Sequence, residues 1–358
     1  MILFVAVSIF VLFSSLFPHD TILKNRYISR SFVFVLIAMM IAYIPTLNVY
    51  VSDMVRYVRS FKEMSDFSLF EILKYYDWEP LFLVTQWFIS RFTENQVVYV
   101  IFTFLMFCFL LYTIAKKMFL PWQRMFFIFI FFCYPFFYMF VFDVIRQGIA
   151  MFLLILSTTY MLDKKKHIKF FVCIVAAGLF HDTAFMMGGA LAIVFLFNFK
   201  LKTYLFVWSI TAILFLTGFN SSILNFDFIR NIGYVDIYTQ DFRIKNFGGG
   251  VNKISYFIYS SFFLIVSLFL YKYLILEEYY KKTYFHIIKC YLGFNALFLL
   301  FGFIAYSNRI AMYSWFLVPL LVAYPILHKK KHSSWLLFLL ILVSFLSSFF
   351  YSPFIAYK

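Results

Sequence analysis

The chain has 358 residues, 64% of them hydrophobic and only 13% charged, with a mean hydropathy of +0.89. That composition excludes a soluble globular protein and leaves no room for a large soluble domain. The net charge of +15 would suit nucleic acid, but the basic residues fall in short clusters between apolar runs, as in the cytoplasmic loops of membrane proteins.

A helical span needs about 20 apolar residues. Twelve segments are candidate spans: 1–17, 31–50, 97–115, 125–142, 147–162, 168–181, 184–199, 203–219, 254–271, 284–306, 310–327 and 333–351. The first lacks a basic n-region and an A-x-A site, so it is expected to be a retained span rather than a cleaved signal. Residues 79–92, EPLFLVTQWFISRF, are apolar but short, and are expected to form a re-entrant or interfacial helix shielded by protein. Not crossing there keeps Lys116 and Lys117 on the cytoplasmic side and puts both termini outside. Basic clusters follow alternate spans: Lys24/Arg26/Arg30, Lys116/Lys117/Arg124, Lys164–Lys166 with Lys169, Lys200/Lys202, Lys272/Lys281/Lys282 and Lys329–Lys331. The fold class expected is an all-α polytopic membrane protein of about twelve transmembrane helices plus the short one, a single transmembrane domain over 1–358. Pro135, Pro319 and Pro325 mark expected kinks. The four cysteines are isolated in apolar segments and offer neither a disulfide framework nor a CxxC metal site.

Two long connections lie opposite the basic clusters. Residues 51–79 hold six of the sixteen acids, together with Arg56 and Arg59. Residues 220–253 mix charge and aromatics, carry Arg230 and Arg243, and end in Gly248–Gly250. Loops of this length are usually functional or disordered, and their aromatics argue against disorder. Residues 125–162 form one apolar run interrupted only by Asp143, Arg146, Gln147 and Gly148, so the chain must fold back there. By alternation, His181, Asp182 and Arg309 emerge on the same outer face. Arginines on that face run against the positive-inside bias, and charge at bilayer depth defaults to a functional hypothesis.

Several arginines beside carboxylates and a histidine suit one chemistry. The guanidinium fork meets phosphate oxygens two at a time and keeps its charge in a low dielectric. A histidine or carboxylate removes a proton from an attacking hydroxyl. Together they suit displacement of a diphosphate from a lipid carrier, with arginines stabilising the leaving group. No D-x-D occurs in the first outer loop and no His/Cys set has zinc spacing, so no metal or cofactor is expected. Each residue also has a structural reading. Asp143 and Arg146 stand three apart and can pair with each other. His181 can cap locally, and Arg56 and Arg59 can form a solvated helix face. Glu79 before Pro80 is a good first-turn acid. Arg309 can snorkel to headgroups, and Gly248–Gly250 can be a hinge.

Five motifs then resemble a family. Asp53-x-x-x-Tyr57-x-x-x-Phe61, Glu79-Pro80-Leu81-Phe82, Arg146-Gln147-Gly148-Ile149-Ala150, Phe180-His181-Asp182-Thr183-Ala184 and Arg309-x-x-x-Tyr313 resemble, in order, the EpsG-type, Wzy-like polysaccharide polymerases. The resemblance implies a GT-C-like inner-membrane glycosyltransferase. Such an enzyme joins repeat units carried on undecaprenyl diphosphate at the outer, periplasmic leaflet, into O-antigen, capsule or exopolysaccharide. It implies Arg146 and Arg309 as diphosphate ligands and His181 or Glu79 as the base for the acceptor hydroxyl. Asp53 would orient the sugar or serve as the alternative base, with Arg56 and Arg59 as further expected diphosphate ligands and Arg230 and Arg243 as loop substrate contacts. A chain-length regulator protein is an implied partner besides the lipid-linked oligosaccharide and the bilayer; nucleic acid is not. The family's Gly and Arg before the first-loop Asp are missing here, where residues 45–52 read PTLNVYVS.

A ligase or related outer-face lipid-dependent glycosyltransferase shares the same kit and would separate only by donor and acceptor assay. A lipid-linked oligosaccharide flippase would show internal repeats with midplane charges, whereas these polar residues gather at one face. A membrane O-acyltransferase would have little use for so many arginines.

Overall fold

The computed structural model describes residues 2–16, 26–46, 53–161, 167–197, 199–226, 239, 251–274, 276–329 and 334–351. Arg230, Arg243, Gly248–Gly250, Lys24, Lys164–Lys166, Lys330 and Lys331 lie outside them. Each of the twelve apolar segments coincides with a helix or a helix pair, and the described residues contain no strand.

The helices divide between two compact units, Met1–Phe185 with Ile326–Lys358, and Met186–Pro325. In the first, α1 (Ile2–Leu16) and α2 (Arg26–Tyr43) precede α3 (Asp53–Glu63), α4 (Leu69–Tyr75) and α5 (Pro80–Ser90). Then come α6 (Gln96–Met118), α7 (Pro121–Phe132), α8 (Pro135–Phe142), α9 (Ile145–Thr158) and α10 (His167–Phe180). Helix α11 (Thr183–Phe197) leads into the second unit, which holds α12 (Leu201–Thr217), α13 (Ile254–Tyr273), α14 (Glu278–Leu300) and α15 (Ser307–Trp315). Helix α16 (Val318–Leu327) leads back to the first, which ends with α17 (Ser334–Tyr351).

The connection 51–79 is built of short helices: α3 buries Asp53, Met54, Tyr57, Val58 and Phe61, a stripe at helical spacing. Helix α4 starts in a capping box in which Ser68 and Glu71 satisfy each other's backbone donors. The exact count of about twelve spans is not confirmed. Among the described residues, four stretches are long and apolar enough to cross a membrane: α6, α13, α14 and Ser307–Leu327. Counting the bent pairs Pro121–Phe132 with Pro135–Phe142 (75°) and Leu201–Thr217 with Phe219–Asn225 (95°) makes six. Hydropathy counts apolar residues without seeing where a helix stops. At the kink expected from Pro135, the proline lacks a donor and drives Tyr134 to extended backbone, and Gly218, not foreseen, ends α12 at φ 78°. The remaining apolar helices, such as the 14-residue α9, reach about 21 Å at 1.5 Å per residue, against a hydrocarbon core of about 30 Å.

The core of the first unit is aromatic. Helix α6 packs on α7 and α9, α9 on α10, and α10 on α5. Phe107 and Phe131 meet Phe152 at 5.6 Å, and Phe132 meets Phe137 edge-on at 5.1 Å. Lipid is as apolar as these side chains, so contact geometry rather than transfer from water holds them together. Each such pair contributes about 0.5–1.5 kcal/mol. The predicted fold-back falls at Asp143–Val144, where α8 gives way to α9. Gly148 makes the turn tight: a Cβ there would stand 2.7 Å from the Phe140 carbonyl oxygen and 2.9 Å from the Phe107 ring.

In the second unit α14 packs against α12, α13 and α15. Buried hydrogen bonds tie them: Trp208 Nε1 to Asn295 Oδ1 (2.8 Å), Asn295 Nδ2 to Ser314 Oγ (3.0 Å), Trp315 Nε1 to Ser260 Oγ (2.7 Å). Asn220 and Asn252 donate to each other at 2.8 Å.

Candidate functional site

In the first unit, four helix ends converge on one carboxylate. Glu79 precedes α5, on a backbone set extended by Pro80, and is 7% exposed. Arg146 stands in the first turn of α9, next to the fold-back that Gly148 permits. His181 and Asp182 form the turn between α10 and α11, and Tyr57 lies one helical turn after Asp53 on α3.

Glu79 divides its oxygens. Oε2 accepts from Nη1 of Arg146 in a short ion pair. Oε1 lies 2.8 Å from His181 Nδ1 and accepts the Asp182 backbone N–H at 3.3 Å. Arg146 also donates from Nε to the Tyr57 hydroxyl at 3.2 Å. Its guanidinium carbon lies 5.5, 5.6 and 5.8 Å from the ring centres of Tyr57, Trp78 and Phe82. An arginine at the positive end of a helix opposes the macrodipole; Glu79 and the aromatic faces offset that cost.

Burial pushes the Glu79 carboxyl up, but the His181 hydrogen bond and the Arg146 charge outweigh burial and hold it at about 2. Burial and the Glu79 charge push the neighbouring Asp182 up. An ionised Glu79 has no proton to give, so His181 presents an N–H at Nδ1. The lone pair of the neutral ring then stands on Nε2. The arrangement is a carboxylate-oriented histidine beside a guanidinium that spends two of its five N–H groups on Glu79 and Tyr57.

Behind it, Gln86 on α5 donates to the Tyr57 carbonyl (3.0 Å) and to the Tyr99 hydroxyl (2.9 Å), fixing α3 against α5 and α6. Asp53, 3% exposed, pairs with Arg56 across one turn of α3, and its backbone N–H donates to Asp143 Oδ1 at 3.1 Å. The structure thus groups Glu79, Arg146 and His181, and places Asp53, Arg56 and Asp143 in an adjoining polar set at the start of α3. Arg59 stands apart, paired at 3.5 Å with Glu63 on an exposed face. Arg309, in the second unit, begins α15 with its guanidinium 4.7 Å above the Tyr306 ring; Tyr306 itself adopts φ 58°. Among the described residues, no group of three His, Cys, Asp or Glu is arranged to hold a metal ion.

Sequence reasoning missed the aromatic wall of Trp78 and Phe82 and the bracing role of Gln86. Trp78 is the residue before Glu79, so an aromatic–acid–proline run was the available signal. Gln86 sits in an apolar helix where an amide demands partners, and that too was visible.

No curated protein and no solved structure matches the chain with significance. The EpsG family matches over residues 30–358. That match takes in most of α2, α3 through α17 and every side chain of the Glu79 cluster, and the chain belongs to the EpsG family.

Proposed function

We propose that this membrane-embedded chain polymerises glycan repeat units carried on undecaprenyl diphosphate, transferring one unit onto another at the outer leaflet of the bacterial inner membrane. Family membership supports a polysaccharide-polymerase-like role. The observation that carries the mechanism is the division of the Glu79 carboxylate between Arg146 and His181.

In this reading the acceptor hydroxyl oxygen attacks the anomeric carbon of the donor unit and the bond from that carbon to the diphosphate oxygen breaks. The hydroxyl proton passes to His181 Nε2, and the diphosphate leaves as an anion with its new charge on Arg146. A diphosphate needs no acid to leave. Glu79, with its depressed pKa, is a poor base and acts as the positioning residue that fixes the His181 ring and the Arg146 fork. Asp53 would orient the sugar from the adjoining set. Arg309 is assigned as a second diphosphate contact on the family resemblance alone. Arg56 and Arg59 would be further diphosphate contacts, and Arg230 and Arg243 loop contacts to the substrate. A chain-length regulator would be the protein partner. The positive-inside clusters support the outward orientation.

The test is polymerisation by the purified, reconstituted chain from a lipid-diphosphate oligosaccharide, read as chain length. Arg146→Lys should keep the fold, measured by thermal unfolding, and yield only single capped units. An unchanged chain-length distribution from that variant would remove the diphosphate role.

A further inference from the structure

A second polar feature lies in the other unit, where two full-length spans meet: the end of α13 at Tyr273 and the start of α14 at Glu278. A pocket of about 260 Å³ opens there, lined by Tyr271, Glu278, Lys281, Lys282 and Phe285. Its lysines belong to a basic cluster with Lys272, on the side that charge alternation makes cytoplasmic. The Tyr271 and Phe285 rings stand 5.9 Å apart as walls, and Lys281 Nζ lies 5.5 Å from the Tyr271 ring centre. Tyr273, Tyr279, Tyr280 and Tyr284 flank these residues along the chain, as in the aromatic belts enriched at headgroup depth.

The cationic face continues inward. At 100° per residue, Lys281, Lys282, Phe285, His286 and Lys289 share one side of α14. Lys289 is 1% exposed, with its ammonium 4.2 Å from the centre of the same Phe285 ring that walls the pocket. The buried His286 Nδ1 has no hydrogen-bond partner among the described residues. A buried lysine about 16 Å along a membrane helix is costly and defaults to function.

We propose that this pocket holds the phosphate of an anionic phospholipid headgroup, a lipid site separate from the Glu79 cluster. Two lysines against Glu278 leave a net positive charge, and the aromatic walls match the glycerol and upper acyl region at that depth. The volume falls below the ~300–1,000 Å³ of drug-sized pockets, which suits a headgroup and not a glycan. Basic pockets between helices on the cytoplasmic side are a recurrent mode of lipid recognition.

The experiment places the full-length protein in phosphatidylcholine nanodiscs with and without phosphatidylglycerol, and reads retained lipid by native mass spectrometry and stability by thermal unfolding. The wild type should retain phosphatidylglycerol in preference. Lys281→Gln with Lys282→Gln should lower that preference by about tenfold or more, since each headgroup-level lysine contributes on the order of fivefold. Lys200→Gln with Lys202→Gln, elsewhere on the same basic side, should leave it unchanged. Equal loss in both double variants would reduce the effect to general surface charge and overturn the site. Stabilisation by inorganic phosphate alone, matching that by phosphatidylglycerol, would assign the pocket to a free anion and overturn the lipid reading.

Discussion

His181 Nδ1 and Glu79 Oε1 lie 2.8 Å apart although 102 residues separate them in the chain. The contact sets the ring's orientation and its tautomer and leaves Nε2 as the basic nitrogen. It also separates two roles that the residue types alone leave open, since an acid held near 2 is a weak base at neutral pH.

His181→Gln should therefore lower turnover by about 100-fold or more, the usual worth of a general base, while lipid-linked donor binding changes little. Single-turnover polymerisation against donor titration measures the split. Loss confined to donor binding would return the base to Glu79 or Asp53.

Glu79→Ala strips Arg146 of its counter-charge in a buried setting. Removing one partner of such a pair costs on the order of 3–5 kcal/mol, here reduced by the aromatic faces around the guanidinium and its 19% exposure. Thermal unfolding in detergent should show a large fall for Glu79→Ala and a smaller one for Glu79→Ala with Arg146→Ala. Additive losses in that double-variant cycle would mean the two side chains are not coupled.

The same carboxylate predicts a pH dependence with a definite sign. Its folded pKa lies below its ordinary 4.5, at about 2. The unfolded chain therefore takes up the proton first as pH falls. The Glu79 contribution is fully present above pH 4.5 and is lost as pH drops toward 2. The stability gap between wild type and Glu79→Gln should be constant from neutral pH down to that range and then close. A gap that instead widens on acidification would contradict the depressed value.

Gly148→Ala tests the fold-back. The added methyl meets the Phe140 carbonyl and the Phe107 ring under 3 Å, an overpacking that costs typically about 1–3 kcal/mol. Adding Phe107→Leu should recover part of the loss in melting temperature, since the ring contact is relieved while the carbonyl stays. A neutral Gly148→Ala would mean that α8 and α9 separate easily.

Much of this protein was legible along the chain because membrane insertion is a local, compositional constraint. Apolar runs and basic clusters gave the helical class and nearly every helix position. The interruption at Asp143–Gly148 located the fold-back, and polar residues stranded at helix ends pointed to Glu79, Arg146 and His181. Other features depend on where a helix stops or whom it meets. Pro135 marked the bend between α7 and α8, but hydropathy ran through the break at Gly218, and charge spacing offered Asp143 to Arg146. Only the packing of α3, α5, α9 and the α10–α11 turn brought Glu79 and Tyr57 to that guanidinium instead, because an ion pair forms between groups close in space and sequence separation sets no limit on that.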